Sequence, residues 1–204
     1  MIFNDIYKTT ELKSEGIYKE KRSKFLAFAF PVTNEVTAKE LIQNLKHTYY
    51  NANHHCFAWR LGISGSNFRI DDDGEPSGTA GKPILGQIKS HQLTNILIVI
   101  IRYFGGIKLG TNGLIRAYKA ASDDVIANAS IIEKTVNNFF NISFSYNSMN
   151  DVMKIIKDEN PEIICQQFGL NCLIKISIRQ AKSAELISRI EKIDGVKTEF
   201  LYSQ

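Results

Sequence analysis

The sequence predicts an α+β protein of two domains, the second with the element order βαββαβ. Three observations support this. A chain of 204 residues is long for one average domain and comfortable for two small ones. Segments of period-two apolar alternation are interspersed with segments of helical period in both halves. The net charge of +4 is also unevenly placed. Residues 1–134 hold 17 Lys and Arg against 13 Asp and Glu, whereas residues 135–204 hold eight of each. Two domains are therefore expected, residues 1–134 and 135–204.

The second half is the plainer of the two. Val136–Tyr146 is β-rich, with Phe140, Ile142, Phe144 and Tyr146 on one face. Met149, Val152, Met153 and Ile156 then recur at helical spacing, and the helix stops before Pro161. Strands over Ile163–Phe168 and Leu170–Arg179 meet at Gly169. A helix over Ala181–Ile193 ends at Gly195, a plausible C-terminal cap, and Val196–Tyr202 closes with a strand. The order is that of the split-βαβ or ferredoxin-like pattern. Tyr146, Phe168, Phe200 and Tyr202 belong either to its core or to an exposed sheet face.

In the first half, Lys24–Val32 reads as an apolar strand. Asn34 caps a helix whose inner stripe is Ala38, Leu41, Ile42, Leu45 and Tyr49. His54–Ile63 and Phe68–Ile70 form a hairpin across Ser64–Asn67, and the polar loop Asp71–Lys82 leads to a short helix from Pro83. Asn95–Tyr103 is the most apolar strand, predicted central and covered on both faces. A glycine-rich turn, Gly105–Gly113, follows, with Thr111 or Asn112 capping a long helix to about Asn128.

No apolar run is long enough to span a bilayer, and no secretory leader is read in the first thirty residues. Cys56, Cys165 and Cys172 are an odd set without metal-site spacing, which fits reduced thiols and a cytoplasmic location. A surplus of four positive charges is compatible with an anionic partner but modest for a dedicated nucleic-acid binder.

Four segments are candidates for chemistry. The first is Arg102-Tyr103-Phe104 with Gly105, Gly106, Lys108, Gly110, Thr111, Asn112, Gly113 and Arg116. Glycines between a buried strand and a helix let backbone approach a ligand, and the helix start offers free N–H groups to an anion. Its spacing is neither that of the P-loop nor that of the dinucleotide fingerprint, and a turn needing glycine only for its own geometry is the alternative. The second is the loop holding Asp71, Asp72, Asp73, Glu75 and, at its end, Lys82. Four carboxylates suit a divalent ion such as Mg2+, or simply a solvated turn. In the third, His54 and Cys56 share a face of a strand while His55 points away. A nucleophile–base dyad is open there, as is a packed cysteine. The basic run containing Lys21, Arg22 and Lys24 is either an edge that meets RNA or an acidic protein, or a solvated strand start.

Taken together, KEKRSKFLAF at Lys19–Phe28, His54-His55, Asp72–Pro76 with Gly78–Gly81, and Ile100–Gly106 with Leu109-Gly110 resemble the YigZ/IMPACT family. The resemblance implies a ribosomal-protein-S5-domain-2-like fold for the first domain and an elongation-factor-G-domain-V-like ferredoxin fold for the second. In eukaryotes the family is associated with control of translation initiation. The expected function is thus a translation-associated regulatory or binding protein. RNA, the ribosome or a translation-regulatory protein would be the partner, with neither membrane nor sequence-specific DNA binding. Alternatives are a metal-dependent phosphotransferase or hydrolase acting on a phosphorylated small molecule, and a pure protein-interaction module. The expected binding residues are Lys21, Arg22, Lys24, His54, Lys82, Arg102, Tyr103, Gly105, Gly106, Lys108, Gly110, Thr111, Asn112, Gly113 and Arg116. No resident cofactor other than a possible Mg2+ at Asp71, Asp72, Asp73 and Glu75 is expected.

Overall fold

The computed structural model describes residues 5–204 and divides into two compact units. One is residues 7–134; the other is residues 135–204 with Asp5 and Ile6.

The first unit begins with β1 (Ile6–Thr10), β2 (Ser14–Glu20), β3 (Ser23–Pro31) and α1 (Glu35–Thr48). It continues with β4 (His54–Leu61), β5 (Asn67–Asp71), α2 (Gly81–Ser90), β6 (Ile96–Tyr103), α3 (Gly110–Ala127) and β7 (Ile131–Thr135). β1 pairs with β7, and the main sheet runs β2-β3-β6-β4-β5 with antiparallel neighbours throughout. β6 is central, and its run from Ile96 to Arg102 is buried residue by residue. Both faces are covered, which is why the strand is apolar without alternation. Phe25, Ala27, Cys56, Ile98 and Ile100 pack with Ile84, Leu114 and Tyr118 of α2 and α3. Phe28, Phe57, Trp59, Leu97 and Val99 pack on the opposite face with Ala38, Ile42 and Leu45 of α1.

Asn34 caps α1, its Oδ1 accepting from the Thr37 N–H at 2.9 Å. Elsewhere the helix starts differ from expectation. α2 begins at Gly81 rather than Pro83, because the Asp72 carboxylate accepts the N–H groups of Gly78, Ala80 and Gly81 at 2.7–3.0 Å. A loop side chain caps this helix from outside it. α3 begins at Gly110, so Thr111 and Asn112 lie inside its first turn, and among the described residues no side chain caps it. The basic run divides: Lys21 and Arg22 form the β2–β3 turn with φ of 45° and 65°, and Lys24 is an exposed residue at the start of β3. β2 escapes a period-two reading because its inward side carries Ser14, Gly16, Tyr18 and Glu20. A Cβ on Gly16 would lie 2.6 Å from Asp124 Oδ2 and 2.8 Å from the Val125 nitrogen, so glycine is what lets β2 lie on α3.

The second unit contains β8 (Asn137–Ser145), α4 (Met149–Glu159), β9 (Glu162–Gln167), β10 (Asn171–Arg179), α5 (Gln180–Ile190) and β11 (Lys197–Ser203). Its sheet order, β11-β8-β10-β9, is the ferredoxin-like arrangement. Ile142, Phe144, Ile174 and Ile176 meet Val152, Ile156, Leu186 and Ile190 in one core. Tyr146, Phe168, Phe200 and Tyr202 are exposed instead, and Tyr202 stacks on Phe139 at 4.5 Å. Asp5 belongs to this unit: it accepts both Nε and Nη2 of Arg179 and the Ala181 N–H at the start of α5. The arginine hydrogen bonds hold its carboxyl below the usual carboxylate range.

Candidate functional site

A pocket of about 440 Å³ opens where β6 gives way to α3. Three segments wall it: Asn53 and His54 at the start of β4, Glu75 and Pro76 of the polar loop, and Arg102, Phe104 and Lys108–Thr111 with Leu114. Antiparallel pairing sets His54 opposite Arg102 at the end of the sheet. Gly105 closes the other side against the β2–β3 turn. A Cβ there would stand 2.1 Å from the Arg22 carbonyl carbon, and the Gly105 N–H donates to Ser23 Oγ at 3.1 Å.

Behind the pocket lies a buried polar chain. Arg102, 5% exposed, donates from Nη1 to Glu75 Oε1 at 2.6 Å. The same oxygen accepts from Tyr118 Oη at 2.8 Å, and Cys56 Sγ lies 3.2 Å from that hydroxyl. Burial first, then the neighbouring acids, pushes the Cys56 thiol well up, so it stays protonated and gives no thiolate. The Tyr118 hydroxyl is pushed up as well, chiefly by burial. Sulfur is thus a packed member of the chain, and the dyad reading of His54 with Cys56 falls. His54 Nδ1 is 2.8 Å from the Asp73 carbonyl oxygen, which can only accept. Nδ1 is therefore the donor in that bond, and Nε2, 3.9 Å from Glu75 Oε1, borders the pocket.

The four loop carboxylates do not converge. Asp71 accepts the Asp73 N–H, Asp72 caps α2, Asp73 takes Lys46 Nζ at 2.8 Å and the His55 N–H at 2.7 Å, and Glu75 holds Arg102. Among the described residues no group of three or more His, Cys, Asp or Glu side chains is placed to hold a metal. Burial works to raise the carboxyls of Asp72 and Asp73, yet both sit below the usual range. N–H donors from Gly78, Gly81 and Ala80 outweigh burial at Asp72, and Lys46 and the His55 N–H do so at Asp73.

The structure gathers His54, Glu75, Arg102, Lys108, Gly110 and Thr111 of the expected residues into one pocket wall. Gly113 is buried in the first turn of α3, and Asn112 is exposed beside it. Tyr103 faces the α1 side, its hydroxyl donating to Asn51 at 3.0 Å. Gly106 takes the turn's positive φ of 83°. Lys82 is exposed in the first turn of α2, and Arg116 stands 3.7 Å from Glu20. Lys21, Arg22 and Lys24 are exposed on the β2–β3 hairpin and do not line the pocket. Sequence patterns missed Asn53, which lacks any spacing signal, whereas Pro76, Phe104, Leu109 and Leu114 lie inside the candidate segments but not among the expected binding residues. Asn53 accepts the Phe104 N–H at 2.8 Å and ties the two walls together.

The family model described as the Impact N-terminal domain matches residues 21–126. The IMPACT family member of Haemophilus influenzae is 32% identical over 180 residues, covering 86% of this chain and 87% of that protein. The IMPACT family member YvyE of Bacillus subtilis is 35% identical over 138 residues, 68% of this chain, and this chain spans 64% of its length. A crystal structure described as a hypothetical protein superposes with a TM-score of 0.73 at 24% identity, covering 97% of this chain and 98% of that one, a likeness of fold. Among the described residues no helix is long and apolar enough to cross a membrane.

Proposed function

The chain belongs to the IMPACT family, and on that premise we propose that it is a translation-associated regulatory protein that binds ribosomal RNA phosphate through its N-terminal unit. The family's association with translation in eukaryotes supports the process. Unspent donors at the glycine-rich turn support the mode of binding, and they are the observation on which the reading rests. Lys108 is exposed at the pocket rim, and the first turn of α3 has no side-chain cap. Backbone N–H groups at a helix start, the positive end of the dipole and a free ammonium are what a phosphate contact needs.

Co-sedimentation of the full chain with ribosomes across a salt series tests the reading. Association is expected at low salt and falls steeply as salt rises, since phosphate contacts release counterions. Lys108→Ala weakens it, and Lys39→Ala on α1 does not. Absence of association at low salt would sink the proposal, and salt-independent association would reassign the contact to a protein partner.

A further inference from the structure

The pocket has two chemically different ends, and an extended polyanion uses only one of them. One end is made of donors. α3 is 18 residues long, its start is uncapped, and Gly110 and Thr111 of its first turn line the cavity beside Lys108. The N–H groups of Gly110, Thr111 and Asn112, at the first three helical positions, have no intrahelical acceptor, and among the described residues no side chain accepts from them. Arg102 faces the same cavity. Its side chain is 6% exposed and packs between the Phe25 and Phe104 rings, and among the described residues only Nη1 has a hydrogen-bond partner while the buried Nε has none. A buried guanidinium with spare donors is costly unless something completes it.

The other end is made of acceptors. Glu75 is 8% exposed, and Arg102 and Tyr118 both donate to its Oε1. His54 presents Nε2 to the same space. A carboxylate receives hydroxyl protons and repels a second phosphate, and the imidazole nitrogen beside it is within reach of the same hydroxyls. Phe104, 44% exposed, and Leu109 add apolar surface to the same cavity. Glu75 offsets the charge of Arg102, so the surplus positive charge is Lys108 and the helix start.

We propose that this pocket is a phosphomonoester site: a terminal phosphate seats on the start of α3, Lys108 and Arg102, and the hydroxyl groups of the attached sugar meet Glu75 and His54. A volume of about 440 Å³ holds one phosphorylated sugar or nucleotide. Such a group comes from a free small phosphate ester or from the phosphorylated end of an RNA strand. This uses the surface named under the proposed function but asks for a terminal, not an internal, phosphate.

Isothermal titration calorimetry of the full chain separates the sources. The titrants are adenosine monophosphate, adenosine, and one short oligoribonucleotide bearing either a 5′-phosphate or a 5′-hydroxyl. Adenosine monophosphate is expected to bind and adenosine not. Lys108→Ala, an exposed change, weakens binding about tenfold through loss of one charge-assisted contact. Thr111→Asp puts a carboxylate in the first turn, which suits the helix dipole and keeps the fold but repels the phosphate. It is expected to abolish binding while the melting temperature holds or rises. Preference for the 5′-phosphorylated strand assigns the site to RNA ends, and monophosphate binding without that preference assigns it to a small metabolite. If the two strands bind equally and adenosine monophosphate does not bind, the proposal is overturned while ribosome association stands. Failure of every titrant with a cooperatively melting protein overturns it as well. Monophosphate binding without ribosome association leaves this site standing and removes the translation reading.

Discussion

The polar loop 71–82 and the glycine-rich turn 104–113 wall the same pocket, and they treat their polar groups in opposite ways. In the loop nearly every carboxylate is consumed by the protein. Asp72 holds three N–H groups, Asp73 holds Lys46 and the His55 N–H, and Glu75 holds Arg102 and Tyr118. In the turn the donors are left over: an uncapped helix start and the Lys108 ammonium at the pocket rim. Acidic residues here build the site and basic ones offer it. A cluster of charge in a sequence is therefore no guide to function until its partners are known.

The contrast is broken most forcefully at Glu75. Replacing it with alanine leaves Arg102 buried with no carboxylate and Tyr118 without its acceptor. Removal of one member of a buried ion pair typically costs about 3–5 kcal/mol. Urea denaturation of Glu75→Ala is expected to show a loss in that range. A change below about 1 kcal/mol, the worth of an exposed pair, would mean that Glu75 does not hold the buried Arg102 and Tyr118 in place.

A middle-sized effect belongs to Asp72. Its carboxyl is held low, so the stabilisation it gives is fully present above the unfolded value, near pH 3.9, and is lost as pH falls below that. Asp72→Asn keeps one acceptor but turns an NH2 toward a backbone N–H, which costs about 1–3 kcal/mol at neutral pH. The variant's stability also falls less than the wild type's between pH 5 and 3, an interval spanning about the ordinary Asp titration. Chemical denaturation across that interval checks both. Parallel acid limbs for the two proteins would show that Asp72 contributes no proton-linked stability.

These residues also mark the limits of what the amino-acid sequence discloses. The apolar run of β6 and the helical spacing of α4 are legible because burial on both faces, or on one stripe, leaves a period in the chain. The glycine-rich turn was legible as a candidate because glycine and a helix start recur wherever backbone approaches an anion. Asp72 as the cap of α2 was not, because its N–H donors lie six to nine residues away across a loop rather than at capping distance. The Arg102–Glu75 pair spans 27 positions and leaves no periodic trace. Asp5, which orients the start of α5 from 176 residues away, is less visible still. Long-range polar pairing is fixed by tertiary contact, and a local pattern does not encode it.

The smallest effect on stability is the sharpest test of the comparison. Lys108 is exposed, and among the described residues it makes no hydrogen bond or salt bridge. Its truncation to alanine is therefore expected to change unfolding free energy by no more than about 0.5 kcal/mol, the ordinary range for a surface substitution. Ribosome association and phosphate binding fall in the same variant. A residue that matters to binding and not to folding is what the turn, unlike the loop, should contain. If thermal denaturation instead shows Lys108→Ala to be markedly destabilised, its ammonium has an internal partner, and the division between a wall that builds and a wall that binds does not hold.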